Sequence, residues 1–277
     1  MNILKISAFT DGNRGGNPAG VWIGDELPSD SQMQSIAAEI GFSETVFACL
    51  MNMGWRVRYF SPESEVPFCG HATIALGAAL ALKNGDGKFL LILNQTQITV
   101  EGLRNGEVIS AALQSPPTHS KTAPPQLVSE VLDLFDYKLD DLDKRISPAL
   151  AHGGADHLVM VLKTRPALAS MKYNLEAGRT LMNREGLVTI LFAYIETPQL
   201  FHTRNAFASG GVYEDPATGA ATAALAGYLR DIEWPHGGVL DIVQGEDMGM
   251  RSRLKAEITL PLGSSIRVSG TARIIDT

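Results

Sequence analysis

Two stretches of this chain are apolar on every side, and they nearly repeat one another. From Cys69 the chain reads CGHATIALGAAL to Leu80, and from Thr218 it reads TGAATAALAGYL to Leu229. Six of the twelve aligned positions are identical, among them the Gly-x-Ala-Thr start and the final Leu. A surface helix shows one apolar stripe, whereas a helix that is apolar all round has to be covered from all directions. Strand-like segments flank each stretch on both sides. The repeat therefore predicts an α+β fold of two similar halves, each a curved sheet wrapped around a central apolar helix.

The remaining periodicity fits that plan. Ile3 to Phe9 alternates as a strand, and Ala19 to Ile23 follows a Gly/Asn loop. Pro28-Ser29-Asp30 opens a helix whose apolar residues Met33, Ile36, Ala37 and Ile40 fall at helical spacing, and Gly41 stops it. Ser43 to Leu50 and Trp55 to Phe60 read as paired strands. Beyond the first apolar helix, from about Gly70 to Leu82, a meander of short strands runs to Leu113. Pro116 to Pro125, rich in Pro, Ser and Thr, reads as a linker. After it come a helix near Gln126 to Leu134, a strand from His157 to Leu162, and helical segments between Ala167 and Arg184. Strands from Leu187 to Ile195 and from Gln199 to Phe207 precede the second apolar helix, Thr218 to Leu229. Strands near Val239, Arg253 to Leu260 and Ser265 to Ile275 finish the chain.

Composition excludes several classes. The 277 residues suffice for two domains, 45% are hydrophobic, and no apolar run approaches the length that spans a bilayer. The first residues carry no signal-peptide pattern, which makes cytoplasmic residence the expectation. A net charge of -7 and the absence of a basic block argue against nucleic acid. The two cysteines, Cys49 and Cys69, form no disulfide framework and lack the linear spacing of a zinc site, so no metal is expected. The glycines of DGNRGGNPAG follow a strand, yet they match neither GxGxxG nor a Walker loop. A turn between two strands is the better reading, and no nucleotide cofactor is implied.

Two residues, His71 and Glu44, stand out chemically. A helix N-terminus offers unpaired N–H groups and a partial positive charge, which suit a substrate carboxylate. Both apolar helices start after a Pro-containing acidic loop, PESEVPFCG and YEDPATG, and two such starts in equivalent halves can face one cleft. Asp215 and Thr218 could serve only as caps. Capping leaves His71 unexplained, a polar residue in the first turn of a small-residue helix, although a satisfied core histidine is an alternative. Glu44, in GFSETVF, heads into an apolar strand. Its carboxyl group would be partly desolvated there, which suits a general acid/base; a surface Glu at a strand end is the alternative.

The segments GNPAGV, Ser43 to Thr45, PFCGHAT and EDPATGAA occur in an order and spacing that resembles the PhzF-like phenazine-biosynthesis isomerases, a branch of the diaminopimelate epimerase-like fold. The resemblance spans nearly the whole chain. It implies a first domain of residues 1–115 plus 262–277 and a second of 116–261, with the last strand returning to the first. It also implies a cofactor-independent proton shift on a small carboxylate-bearing substrate and a homodimer. The family's catalytic Glu falls on Glu44, its site His on His71 and its site Asp on Asp215. Asn17, Gly70, Gly219 and Ala220 fall on substrate-binding positions. Ala220 replaces the family's usual serine and so removes a hydroxyl from the site.

Two other readings stay open. Related epimerases use two thiols, one at each helix start; here Cys69 has Thr218 as its repeat partner, and a hydroxyl is a far weaker base. A small-molecule-binding protein without turnover would account for Ala220 but would have little use for Glu44.

Overall fold

A computed structural model describes residues 3–275. The chain divides into two compact units: residues up to Gln114 together with those from Ser269 onward, and Ser115–Val268.

In the first unit, β1 (Leu4–Ala8) and β2 (Asn17–Gly24) form an antiparallel pair, and the glycine-rich segment between them is a turn. Helix α1 (Asp30–Ile40) starts from a capping box between Ser29 and Gln32 and ends at Gly41 in the left-handed region, φ 71°. Strands β3 (Thr45–Met51) and β4 (Gly54–Phe60) follow, then the two-residue β5 (Glu65–Val66). After α2 (Gly70–Asn84) come β6 (Gly87–Ile92), β7 (Gln97–Asn105) and β8 (Val108–Pro117). Pairing runs antiparallel for β1–β2, parallel for β2–β3, antiparallel for β3–β4, parallel for β4–β6, and antiparallel onward to β8. Met33 and Ala37 of α1 pack with Trp22, Phe47 and Phe60 on the outer side of this sheet.

In the second unit, β9 (His119–Thr122) precedes α3 (Pro125–Leu134), β10 (Ala149–His152) and β11 (Asp156–Leu162). Helices α4 (Arg165–Ala169) and α5 (Leu175–Glu185) lead to β12 (Thr189–Thr197), β13 (Leu200–Ala206) and the two-residue β14 (Glu214–Asp215). Helix α6 (Gly219–Asp231) is followed by β15 (Val239–Gln244), β16 (Ser252–Glu257) and β17 (Ser265–Ile274). The order of pairing repeats that of the first unit: β10–β11 antiparallel, β11–β12 parallel, β12–β13 antiparallel, β13–β15 parallel, β15–β16 antiparallel. Helices α3 and α5 cover this sheet through a core that includes Val131, Phe135, Met160, Met182 and Phe192.

The C-terminal strand joins the first unit's sheet. β17 pairs with β1 and with β8 and closes an eight-strand ring, which makes the fold α+β with a closed barrel. Ser265–Val268 group with the second unit and the rest of β17 with the first, so the chain crosses inside this strand rather than at residue 262.

The central helices explain their own composition. Helix α2 packs against β1, β2, β3, β6 and β7, and Ala72–Ala81 are all buried. Its approach to β7 leaves no room for a side chain: a Cβ on Gly102 would lie 2.2 Å from the Gly77 carbonyl oxygen. In the second unit α6 packs against β9, β10, β11 and β16, and a Cβ on Gly153 would meet the Ala224 nitrogen at 2.5 Å. Sheets wrapped this tightly admit only small residues on the helix they enclose.

The expected linker needs correction. Within Pro116 to Pro125, β8 continues to Pro117, and His119–Thr122 form β9, which pairs with β10. Both strands were hidden by their chemistry. β9 is largely exposed and therefore polar, and Ala149–His152 is too short to establish a period.

Candidate active site

Glu44 immediately precedes β3, and its carbonyl accepts the Gly20 N–H at 3.2 Å, which ties it to β2. His71 is the second residue of α2 and is 5% exposed. The two side chains meet: His71 Nε2 lies 3.4 Å from Glu44 Oε2. Ser43 Oγ is also 3.4 Å from Nε2, and Cys69 Sγ is 3.3 Å from the other ring nitrogen, Nδ1. His71 is therefore a core histidine in burial, but its neighbours are an acid, a thiol and a hydroxyl rather than packing residues. One ligand-capable atom each from Glu44, Cys69 and His71 lies within 4.8 Å of the others.

The backbone under this cluster is fixed. The Thr73 hydroxyl donates to the Cys69 carbonyl at 2.6 Å, so its one proton is committed and Tyr59 must donate to Thr73 Oγ1, at 2.7 Å. Burial pushes the Tyr59 hydroxyl well above its ordinary range and keeps it a donor. Cys69 is the N-cap residue of α2 and makes no side-chain cap, and Gly70 is the first helical residue. Asn17, at the start of β2, is 2% exposed and three residues before Gly20.

The second unit holds a different arrangement at the equivalent place. Asp215 Oδ2 accepts the Thr218 hydroxyl at 2.5 Å. Gln244, fully buried at the end of β15, donates to Thr218 Oγ1 at 2.9 Å and to the Asp215 carbonyl at 2.7 Å, and accepts the Thr218 N–H at 3.2 Å. Thr218 occupies the N-cap position, but its side chain makes no cap hydrogen bond; it serves Asp215 instead. Gly219 is the first residue of α6, and Ala220, half-buried, is the second.

The internal repeat is stronger in structure than in sequence. Phe60 pairs with Glu65, and Arg58 forks that glutamate through Nε (2.8 Å) and Nη2 (2.6 Å). Ala206 pairs with Glu214, and Arg204 forks it in the same way, at 3.0 and 2.5 Å. Aligned on these pairs, Val66 matches Asp215, Cys69 matches Thr218 and His71 matches Ala220. Each half thus keeps the scaffold and carries its own polar groups.

Of the residues singled out from sequence, Glu44, His71 and Cys69 come together in the first unit, and Asp215, Gly219 and Ala220 lie at one helix start in the second. Ser43 and Gln244 were missed. Ser43 adjoins Glu44 and has no signal of its own, and Gln244 has only the weak one of a polar residue closing an apolar strand.

The family model described as phenazine biosynthesis-like protein matches residues 6–277. An uncharacterized isomerase of Mesorhizobium japonicum is 30% identical, with 98% of this chain and 95% of that protein aligned. A trans-2,3-dihydro-3-hydroxyanthranilate isomerase of Pseudomonas aeruginosa is also 30% identical, over 96% of this chain and 94% of that protein. Among solved structures, a PhzF-family phenazine biosynthesis protein of Bacillus anthracis superposes with a TM-score of 0.87 at 22% identity, covering 99% of this chain and 96% of that one.

Proposed function

Because the chain belongs to the phenazine biosynthesis-like protein family and is an isomerase, we propose that it shifts a proton between carbons of a small carboxylate-bearing substrate, with Glu44 as the proton carrier. The Glu44–His71 pair at the start of a buried helix, 3.4 Å apart, is the observation that carries this reading. The Glu44 carboxylate takes a proton from one carbon and becomes the acid. The electron pair moves through the substrate's conjugated system, and the same carboxyl returns the proton to another carbon. The chemistry balances within the substrate and needs neither a metal nor an organic cofactor. His71 orients the carboxyl group and polarises the substrate.

We assign the substrate carboxylate to the N–H groups at the start of α2, at Gly70, with Asn17 as a further substrate position in the same unit; Asp215, Gly219 and Ala220 are the substrate positions proposed at the corresponding helix start of the second unit. The absence of a hydroxyl at Ala220 favours a substrate other than the dihydro-hydroxyanthranilate of the Pseudomonas relative, though that compound is the natural first probe.

Racemisation by two bases gains nothing from the geometry. The bases must approach opposite faces of one carbon, yet Cys69 and Glu44 lie within 4.8 Å of each other, too close to hold a substrate carbon between them. The hydroxyl of Thr218, the repeat partner of Cys69, is engaged by Asp215 and Gln244.

The test is steady-state kinetics on a panel of cyclic diene carboxylates and α-amino acids. Glu44→Gln should lower kcat by about 10²–10⁴-fold with KM within a few-fold, while the melting temperature stays near that of the parent. A Glu44→Gln enzyme with an unchanged kcat would refute the assignment.

A further inference from the structure

We infer that Glu44, Cys69 and His71 form a three-ligand site for a borderline-soft divalent cation of the Zn²⁺ type, and that an ion there switches off proton transfer. The binding claim stands on geometry alone; the switching claim rests on Glu44 being the proton carrier.

The three side chains are a thiol, an imidazole and a carboxylate, the donor types that zinc and cobalt take. Bonds of roughly 2.3 Å to sulfur and 2.0 Å to nitrogen or oxygen place tetrahedral ligand atoms roughly 3.5 Å (S to N) and 3.3 Å (N to O) apart. Here Cys69 Sγ lies 3.9 Å from His71 Nε2, and Nε2 lies 3.4 Å from Glu44 Oε2. All three donors fall within 4.8 Å. Sγ lies nearer still to Nδ1, at 3.3 Å, so rotation of the Cys69 and His71 side chains, rather than a small shift, brings the three donors onto one ion, and a fourth position stays open.

The setting favours the site on three further counts. Cys69 and His71 are buried and the Glu44 side chain is 13% exposed, so little water competes for the donors. The Thr73–Tyr59 relay pins the Cys69 carbonyl, which fixes the root of the sulfur ligand. The positive end of α2 stabilises a thiolate, and a thiolate with a carboxylate cancels the charge of a divalent ion. On binding, the thiol proton leaves to solvent as the S–metal bond forms, with no redox change. The ion then occupies the Glu44 lone pairs that would accept the substrate's proton.

The linear sequence hides this site because Cys-x-His with a glutamate from a distant strand start matches no zinc spacing. Only the fold of β3 against α2 assembles it.

Metal-free protein is titrated with Co²⁺ and followed by absorption, and with Zn²⁺ by calorimetry. One ion per chain is expected, with a sulfur-to-cobalt charge-transfer band. That band should be lost in Cys69→Ser and in His71→Gln, and kept in Cys49→Ala, which removes the other cysteine. Glu44→Gln should weaken Zn²⁺ binding at least tenfold. Stoichiometric Zn²⁺ should abolish turnover reversibly to EDTA, and Cys69→Ser turnover should be insensitive to it. Absence of stoichiometric binding, or a charge-transfer band that persists in Cys69→Ser, overturns the site. Binding with the expected variant pattern, in a protein whose turnover Zn²⁺ leaves untouched, overturns the switching claim and keeps the site. A Glu44→Gln enzyme of full activity overturns the proton-carrier assignment and leaves the binding result standing.

Discussion

His157, near the start of β11, is fully buried, and its Nδ1 lies 2.7 Å from Thr189 Oγ1. The Thr189 hydroxyl gives its own proton to Asn205 Oδ1 at 3.0 Å, so Nδ1 must be the protonated nitrogen of a neutral ring. Burial pushes this imidazole down to about 3, against an unfolded value near 6.5. Below the unfolded value the unfolded chain binds a proton that the folded one refuses. The stability this group confers is therefore whole above about pH 6.5 and falls as the pH drops toward 3. Denaturant titrations of the parent should lose about 2 kcal/mol between pH 7 and pH 5 through this residue, a loss that shrinks in His157→Asn. An equal pH dependence in the two proteins would contradict the account. His157 was not legible as special, because a histidine inside an apolar strand has no local signature. Glu44 and His71 were legible, because each breaks the pattern of its own element. Gln244 reaches Thr218 only through the tertiary fold.

Each central helix is preceded by a two-residue strand whose glutamate is forked by an arginine, but the two forks are not energetically alike. Arg204 and Glu214 are 8% and 3% exposed, and Arg204 Nη1 is further held by the Ala169 carbonyl at 2.8 Å. Arg58 and Glu65 are 15% and 28% exposed, and Arg58 keeps a second partner in Asp30 at 2.5 Å. Removing one member of a buried pair strands a charge, whereas a wetter pair with a spare partner loses little. Glu214→Ala should cost about 3–5 kcal/mol in denaturant unfolding, and Glu65→Ala about 1 kcal/mol or less. Equal costs would mean that the repeat preserves energetics as well as geometry. At this scale the helices were the most legible part of the chain, since Gly77 and Gly102 in contact and the buried alanines leave a compositional trace. The arginine forks left none, because Arg58 lies in a strand that alternates like any half-exposed strand and Arg204 lies in a run of polar residues, Thr203 to Asn205, that gives no sign of being buried.

For the whole molecule, β17 matters most, because it pairs with β1 through Ile6, Ser7 and Ala8 and completes the first unit's ring. A chain ending before Ser265 leaves β1 and β8 with open edges. Such a truncation should fail to give a cooperative unfolding transition by circular dichroism, and a native-like transition would contradict the closure. The two-halves plan was legible from six identities over twelve aligned positions, and the return of the last strand came only through the family resemblance. The segment at 116–125 misled because an exposed strand and a linker draw on the same polar residues. The central claim, that Glu44 carries the proton, is tested most directly by turnover in D₂O with the substrate's carbons followed by NMR. With the Glu44 carboxyl exchanging its proton with solvent between abstraction and return, the parent protein should incorporate solvent deuterium at the carbon that gains the proton, and Glu44→Gln should lose that incorporation while Cys69→Ala keeps it. Incorporation that survives in Glu44→Gln and disappears in Cys69→Ala would contradict the account and make the thiol the base.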